Sequence, residues 1–284
     1  MRKLNKKELK WVEKVEDTLK IGGRSKATIN NYVCAINRFL KFYKDDTNFK
    51  TFKEDDIISY IKHDYIDKGC AGNTYNMNIC AIKYMFSVCF EKEFNKRLLP
   101  NVKLQKRLPN VIDKNLFLKI FNEEKNIKYK CWLLLGFCCG LRVDEISKIK
   151  VADINSKEHK LIVLGKRNKQ RFTILPEIVI KYLRLYYKTA NFKKNNEYLF
   201  EGCADREYMN SKYIINYFSL LKKKYDLPSN ITFHTLRHSF ATNFIKAGGD
   251  PFILKTMLGH SSFSSTSIYI HLGSDFNNLL GIKS

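Results

Sequence analysis

Apolar residues recur at spacings of three and four through most of the first hundred positions. The clearest run is Ile29, Tyr32, Val33, Ile36, Phe39, Leu40 and Tyr43, one stripe along a predicted helix over 25–44. The same periodicity predicts helices over 4–20, 52–67 and 73–95, punctuated by Gly22-Gly23, a polar stretch at 45–51 and the segment from Gly69 to Gly72. Helices that each carry an apolar face bury it against one another, so this half reads as a small helical bundle. The period lapses between Asn95 and Asn110, where two prolines and a set of basic residues with no acidic one read as extended chain. The expected division is a first domain over 1–102, a linker over 103–110 and a second domain over 111–284.

The second half begins with helices near 113–125 and 128–140 and then changes period. LIVLG at 161–165 and RFTIL at 171–175, joined by KRNKQ, predict a β-hairpin with a basic tip. Pro176 starts another helix and 210–225 forms a further one. Four short helices are expected near 232–246, 250–258, 263–270 and 275–281. The predicted class is mostly α, an amino-terminal bundle followed by an α+β domain with a small antiparallel sheet.

Charge narrows the range of partners. Fifty-one Lys and Arg stand against 28 Asp and Glu, a formal net charge of +23 over 284 residues. Both halves share the excess, with 20 basic against 13 acidic residues up to position 102 and 31 against 15 beyond it. Such self-repulsion is relieved by a polyanion, and nucleic acid is the natural one. The longest apolar run, Trp132 to Leu141, is half of what crosses a bilayer, so no transmembrane helix is expected. The start MRKLNKKELK lacks the apolar stretch of a secretory leader, and a cytoplasmic location is expected. Eight cysteines include no CxxC pair and sit mostly in apolar runs, which favours buried free thiols over a zinc site or disulfides.

Chemistry-bearing residues cluster in the second half. Arg142 ends the apolar run WLLLGFCCGL, and Glu145 three residues on would share a helical face with it, either as a surface ion pair or as a held guanidinium. In ITFHTLRHSFAT, the spacing of His234, Arg237 and His238 places all three on one face, with Thr232 positioned as a cap. That face is either a solvated polar surface or a donor set for phosphate oxygens. His260 follows GDPFILKTMLG, in which Asp250 is the expected N-cap, Pro251 the first helical residue and Gly259 the left-handed stop. Tyr269 lies nine residues beyond His260, and a tyrosine between Ile268 and Ile270 taken alone reads as core filler. Four of the six histidines fall in the last 51 residues.

Taken in order, GLRVDEI, LGKRNKQR, HTLRHSFAT, MLGHSSFSST and IYIH resemble the motifs of the tyrosine recombinase (phage integrase) family, and SKATINNYVCAINRFLKFY resembles that family's SAM-like core-binding domain. The likeness covers nearly the whole chain and is to the two-domain, Xer-like members. It implies a site-specific DNA recombinase that cleaves and rejoins strands through a 3′-phosphotyrosyl intermediate, for integration, excision or resolution. By this resemblance Tyr269 is the nucleophile, Arg142 and Arg237 clamp the scissile phosphate, and Lys166 is the general acid. His234 and His260 are phosphate ligands and proton-transfer aids, and Glu145 is the acidic support. Arg167 stands where the family usually has glycine after the lysine, which leaves Lys169 as a rival acid. The resemblance further implies no metal or other cofactor and a double-stranded recombination site as partner. Four protomers on two duplexes form the implied assembly, with a second recombinase or accessory protein left open. A type IB topoisomerase-like activity and a catalytically idle DNA-binding regulator are the alternatives.

Overall fold

A computed structural model describes residues 2–44, 47–103, 110–165, 170–190, 197–202 and 206–259. The chain forms two compact units, 1–107 and 108–284, each with its own core.

The first unit is built on α1 (Lys6–Ile21), α2 (Lys26–Phe42), α3 (Glu54–Ile61) and α4 (Gly72–Phe90). Asn5 caps α1 reciprocally: its side chain accepts from the Glu8 N–H, and Glu8 accepts from the Asn5 N–H, both at 2.9 Å. Ser25 accepts from the Thr28 N–H to start α2. Of the predicted stripe, Ile29, Ile36, Phe39 and Leu40 are buried, and Tyr32, Val33 and Tyr43 pack at the edge of the same core. Phe39 is its centre, meeting Phe49, Phe52, Tyr60 and Phe86 at ring separations of 5.1–6.2 Å.

Two helices differ from their predicted extents. α3 widens into a π-helix over Lys62–Asp67, where Asp64 accepts from Asn78, which in turn accepts from Arg38. α4 stops at Phe90 rather than running to 95, because Glu91 adopts the left-handed conformation at φ 53° and turns the chain so that Phe94 packs on Phe86. The irregular stretch 95–103 lies on this bundle. Leu99 is buried, the Leu99 carbonyl accepts from Lys83, and Asn76 bonds the backbone of Val102 in both directions.

The second unit opens with α5 (Lys114–Glu123) and α6 (Ile127–Cys139). α6 is buried at every position from Cys131 to Cys139 and packs against both α8 (Glu177–Thr189) and α10 (Phe233–Lys246), so its apolar run has no polar side. The single turn α7 (Val143–Ile146) follows, then a three-stranded antiparallel sheet in the order β1 (Ile154–Asn155), β2 (Lys160–Leu164), β3 (Gln170–Ile174). The predicted hairpin is present, and β1 is an added edge strand whose two residues are too few to leave a period-2 signal. α9 (Lys212–Lys224), α10 and α11 (Pro251–Met257) complete the described part. The helices expected near 263–270 and 275–281 lie outside it, as do the hairpin tip, His260 and Tyr269. No helix among the described residues is long and apolar enough to cross a membrane.

Cysteine burial is divided. Cys131, Cys138 and Cys139 are buried on α6, whereas Cys34 and Cys80 are exposed and Cys70 and Cys89 are half-buried. An apolar neighbourhood in sequence overstates burial here, since helical geometry turns Cys34 away from the stripe that buries Ile36 and Phe39.

Gly140 ends α6 in the left-handed region at φ 66°, and a Cβ there would lie 2.5 Å from Cδ1 of Phe240. Gly140→Ala therefore combines a left-handed penalty with overpacking against α10. We expect a loss of about 2–4 kcal/mol in urea unfolding.

Candidate active site

The arrangement begins with one carboxylate. Glu145 occupies the third position of α7, its side chain 6% exposed. Arg142 is the residue before the helix rather than within it, so its proximity to Glu145 comes from a capping geometry rather than a shared helical face. The Arg142 N–H donates to Oε2 of Glu145 and the Arg142 guanidinium donates to Oε1, both at 2.8 Å. From β3, the guanidinium of Arg171 donates to both oxygens, again at 2.8 Å each. Arg237 from α10 approaches Oε2 to 3.7 Å.

Arg237 is anchored elsewhere. Its guanidinium donates to the Gly140 carbonyl at 2.7 Å and to the Leu258 carbonyl at 2.6 Å, joining the end of α6 to the end of α11. Nε of Arg171 donates to the Met257 carbonyl at 2.7 Å. The closing carbonyls of a helix lack intrahelical partners, and cations suit that end of its dipole, so two arginines finish α11. The start of α11 is as the sequence predicts: Pro251 is its first residue and Asp250 accepts from the Phe252 N–H at 2.7 Å. Gly259, at φ 82°, is the expected left-handed stop. The carbonyls of Met257 and Leu258, just before Gly259, are thus held by Arg171 and Arg237.

α10 carries the histidines. His234 is exposed, His238 is half-buried with its ring 4.7 Å from that of His234, and Arg237 is buried, so the shared face runs from solvent into the core. Thr232 occupies the N-cap, and its N–H donates to the Thr235 hydroxyl at 3.0 Å.

Three arginines surround a single carboxylate, an excess of positive charge that an incoming anion would neutralise. Burial raises the Glu145 carboxyl, but hydrogen bonds and charge from Arg171 and Arg142 outweigh it and hold the group below the ordinary carboxylate range. Burial, then the charge of Arg142, brings Arg237 down to about 10, still protonated at neutral pH. Partial loss of water, then the charges of His238, Arg237 and Arg142, lowers His234, which favours its neutral form at neutral pH.

A depressed carboxyl contributes stability that is complete above its unfolded pKa of roughly 4.3 and is lost as pH falls through the lower folded value. Urea unfolding between pH 3 and 6 is expected to show that acid-side decline, and Glu145→Gln to remove part of it. A slope unchanged in the variant would contradict the assignment.

The structure thus unites Arg142, Glu145, Arg237 and His234, while Lys166, Lys169, His260 and Tyr269 lie outside the described residues. Arg171 is the member that sequence reasoning passed over. Its signal was available in RFTIL, where alternation turns Arg171 and Thr173 inward, both buried, and leaves Phe172 half-exposed.

The family profile described as "Phage integrase family" matches residues 110–275, and "Phage integrase, N-terminal SAM-like domain" matches 11–96. The chain belongs to the phage integrase family of tyrosine recombinases. Among curated relatives, tyrosine recombinase XerA of Pyrococcus horikoshii is 31% identical over 262 residues, covering 91% of this chain and 87% of the relative. Tyrosine recombinase XerD of Staphylococcus epidermidis is 30% identical over 284 residues, covering 91% and 93%. This recombinase also shares its fold with a lambda integrase tetramer bound to a Holliday junction (TM-score 0.70, 19% identity, 91% of this chain and 80% of that one). The Tn1549 transposon integrase in complex with circular intermediate DNA is similarly alike (TM-score 0.69, 17% identity, 96% of each chain). The recombinase is a site-specific, strand-exchanging enzyme, and these relatives do not favour the topoisomerase or idle-regulator alternatives.

Proposed function

We propose that the recombinase cleaves duplex DNA by attack of Tyr269 on a scissile phosphate, forming a 3′-phosphotyrosyl bond and releasing a 5′-hydroxyl. The new bond conserves the energy of the old one, so religation needs no nucleotide. The observation that carries the reading is the gathering of Arg142, Arg237 and Arg171 around one buried carboxylate beside His234. The charge left over after Glu145 is satisfied suits a phosphate whose non-bridging oxygens gain negative charge as the fifth oxygen approaches. Among the described residues, Arg237 places two of its five N–H groups on backbone carbonyls, which leaves donors for such a ligand.

Lys166, which falls between β2 and β3 in the sequence, protonates the leaving 5′ oxygen. His260, one residue beyond Gly259, joins His234 in binding phosphate and moving protons. In its neutral form His234 has an imidazole nitrogen able to receive the tyrosine proton. The domain over 1–102 and the catalytic domain over 111–284, joined by 103–110, both hold duplex DNA, which the basic excess of each half supports. Four protomers act on two duplexes, in the cytoplasm.

A duplex that the protein enriches from a randomised pool, nicked at successive positions, supplies suicide substrates. We expect a covalent protein–DNA adduct that resists denaturant and forms in excess EDTA, while noncovalent binding of the duplex weakens steeply with salt. Loss of the adduct in EDTA with recovery by magnesium would overturn the metal-free scheme.

A further inference from the structure

Arg171 lies in the strand that follows the hairpin tip, 26 residues from Glu145, yet its side chain is 8% exposed and makes three hydrogen bonds in the centre of the site. An ionised carboxylate offers about four acceptor positions. On Glu145 all four are taken: Oε1 accepts from Arg142 and Arg171, and Oε2 accepts from the Arg142 N–H and Arg171. The parallel two-bond grip of Arg171 fixes the plane of the carboxylate, and that plane sets where the Arg142 guanidinium rests. Arg142 itself is 35% exposed, and a long side chain on an exposed pair is poorly ordered unless its partner is rigid.

Charge points the same way. Glu145 paired only with Arg142 would cancel it, whereas Arg171 takes up the carboxylate's charge and leaves Arg142 electrostatically open to an anion. Stability alone is a weak reason to bury this pair, because well-packed apolar residues commonly serve as well. The third bond, to the Met257 carbonyl, ties the same guanidinium to the corner before His260.

We propose that Arg171 is a positioning residue for strand cleavage: through Glu145 it orients Arg142 on the scissile phosphate. This inference rests on the reading of Arg142 as a phosphate clamp. Lysine keeps the charge of Arg171 but has no planar fork and cannot reproduce the two-bond grip.

The test compares Arg171→Lys, Arg171→Gln and Arg142→Ala in the full chain, on the nicked duplex and on the same duplex with a methylphosphonate at the scissile position. The methyl group removes the charge that Arg142 neutralises. Single-turnover cleavage at saturating DNA, well below each variant's melting midpoint, is the readout. Both Arg171 variants are expected to slow cleavage of the diester on the order of 100-fold, as for a misplaced catalytic group, with DNA affinity changed by no more than about threefold. On the methylphosphonate their deficit should shrink to about threefold or less, in parallel with Arg142→Ala. Equal deficits on both substrates, native rates, or failure of both Arg171 variants to fold would overturn the positioning role. Native cleavage of the diester by Arg142→Ala would instead overturn the clamp reading, which keeps the two failures distinct.

Discussion

Tyr269→Phe is expected to bind the enriched duplex with near-native affinity and to lose cleavage by a factor on the order of 10⁴ or more, because only the attacking oxygen is removed. The adduct formed on a nicked substrate would be absent from denaturing gels, while mobility-shift binding persists. Basic side chains are in excess in both halves, so no single hydroxyl is expected to contribute much to binding. An adduct of native yield in the variant would transfer the nucleophile to another of the 16 tyrosines. Two of the described tyrosines are poorly suited to that role: Tyr186 is pushed up to about 12 by burial, and burial and then the nearby Glu124 raise Tyr217.

The second large effect concerns the proton given to the leaving oxygen. Leu164 of β2 pairs with Gln170 of β3, and Lys166 and Lys169 both fall between these two positions in the sequence. If Lys166 is the acid, Lys166→Ala should slow cleavage of an ordinary diester by roughly 10²–10⁴-fold. Replacing the 5′ bridging oxygen with sulfur supplies a leaving group that needs no proton, and the same variant should then approach the native rate. Lys169→Ala is expected to show a modest deficit on both substrates. The reverse pattern would move the acid to Lys169, and rescue of neither variant would assign the proton to another group, with His234 the first to test.

These outcomes bear on different parts of one electrostatic arrangement. In the proposed scheme Tyr269 and the lysine act on the bonds that form and break. The arginines act on charge that neither group relieves, so their variants should be rescued by a neutral phosphonate and not by sulfur. Agreement across the two substitutions would separate nucleophile, acid and clamp without a structure of the complex.

Much of this was legible in the chain. The period of three and four along α2, the cap at Asp250 and the left-handed glycine at 259 act over a single turn, so sequence alone expresses them. The ordered motifs around Arg142, Arg237 and Tyr269 likewise sufficed for the family, whose profile matches residues 110–275.

Tertiary structure decided what depends on partners distant in sequence. Arg171 meets Glu145 across 26 residues and the Met257 carbonyl across 86, and Arg237 meets the Gly140 carbonyl across 97. No local spacing encodes those contacts. The early end of α4 has the same origin, because Glu91 accepts a left-handed backbone that allows Phe94 to bury its ring against Phe86. Burial of α6 from Cys131 to Cys139 is a property of the helices packed against it, and the unequal burial of His234, Arg237 and His238 shows how one sequence face can span solvent and core. The sequence determined which groups the recombinase has and where its helices start and stop. The fold determined which charges share one carboxylate, and so which of them remain available to a phosphate.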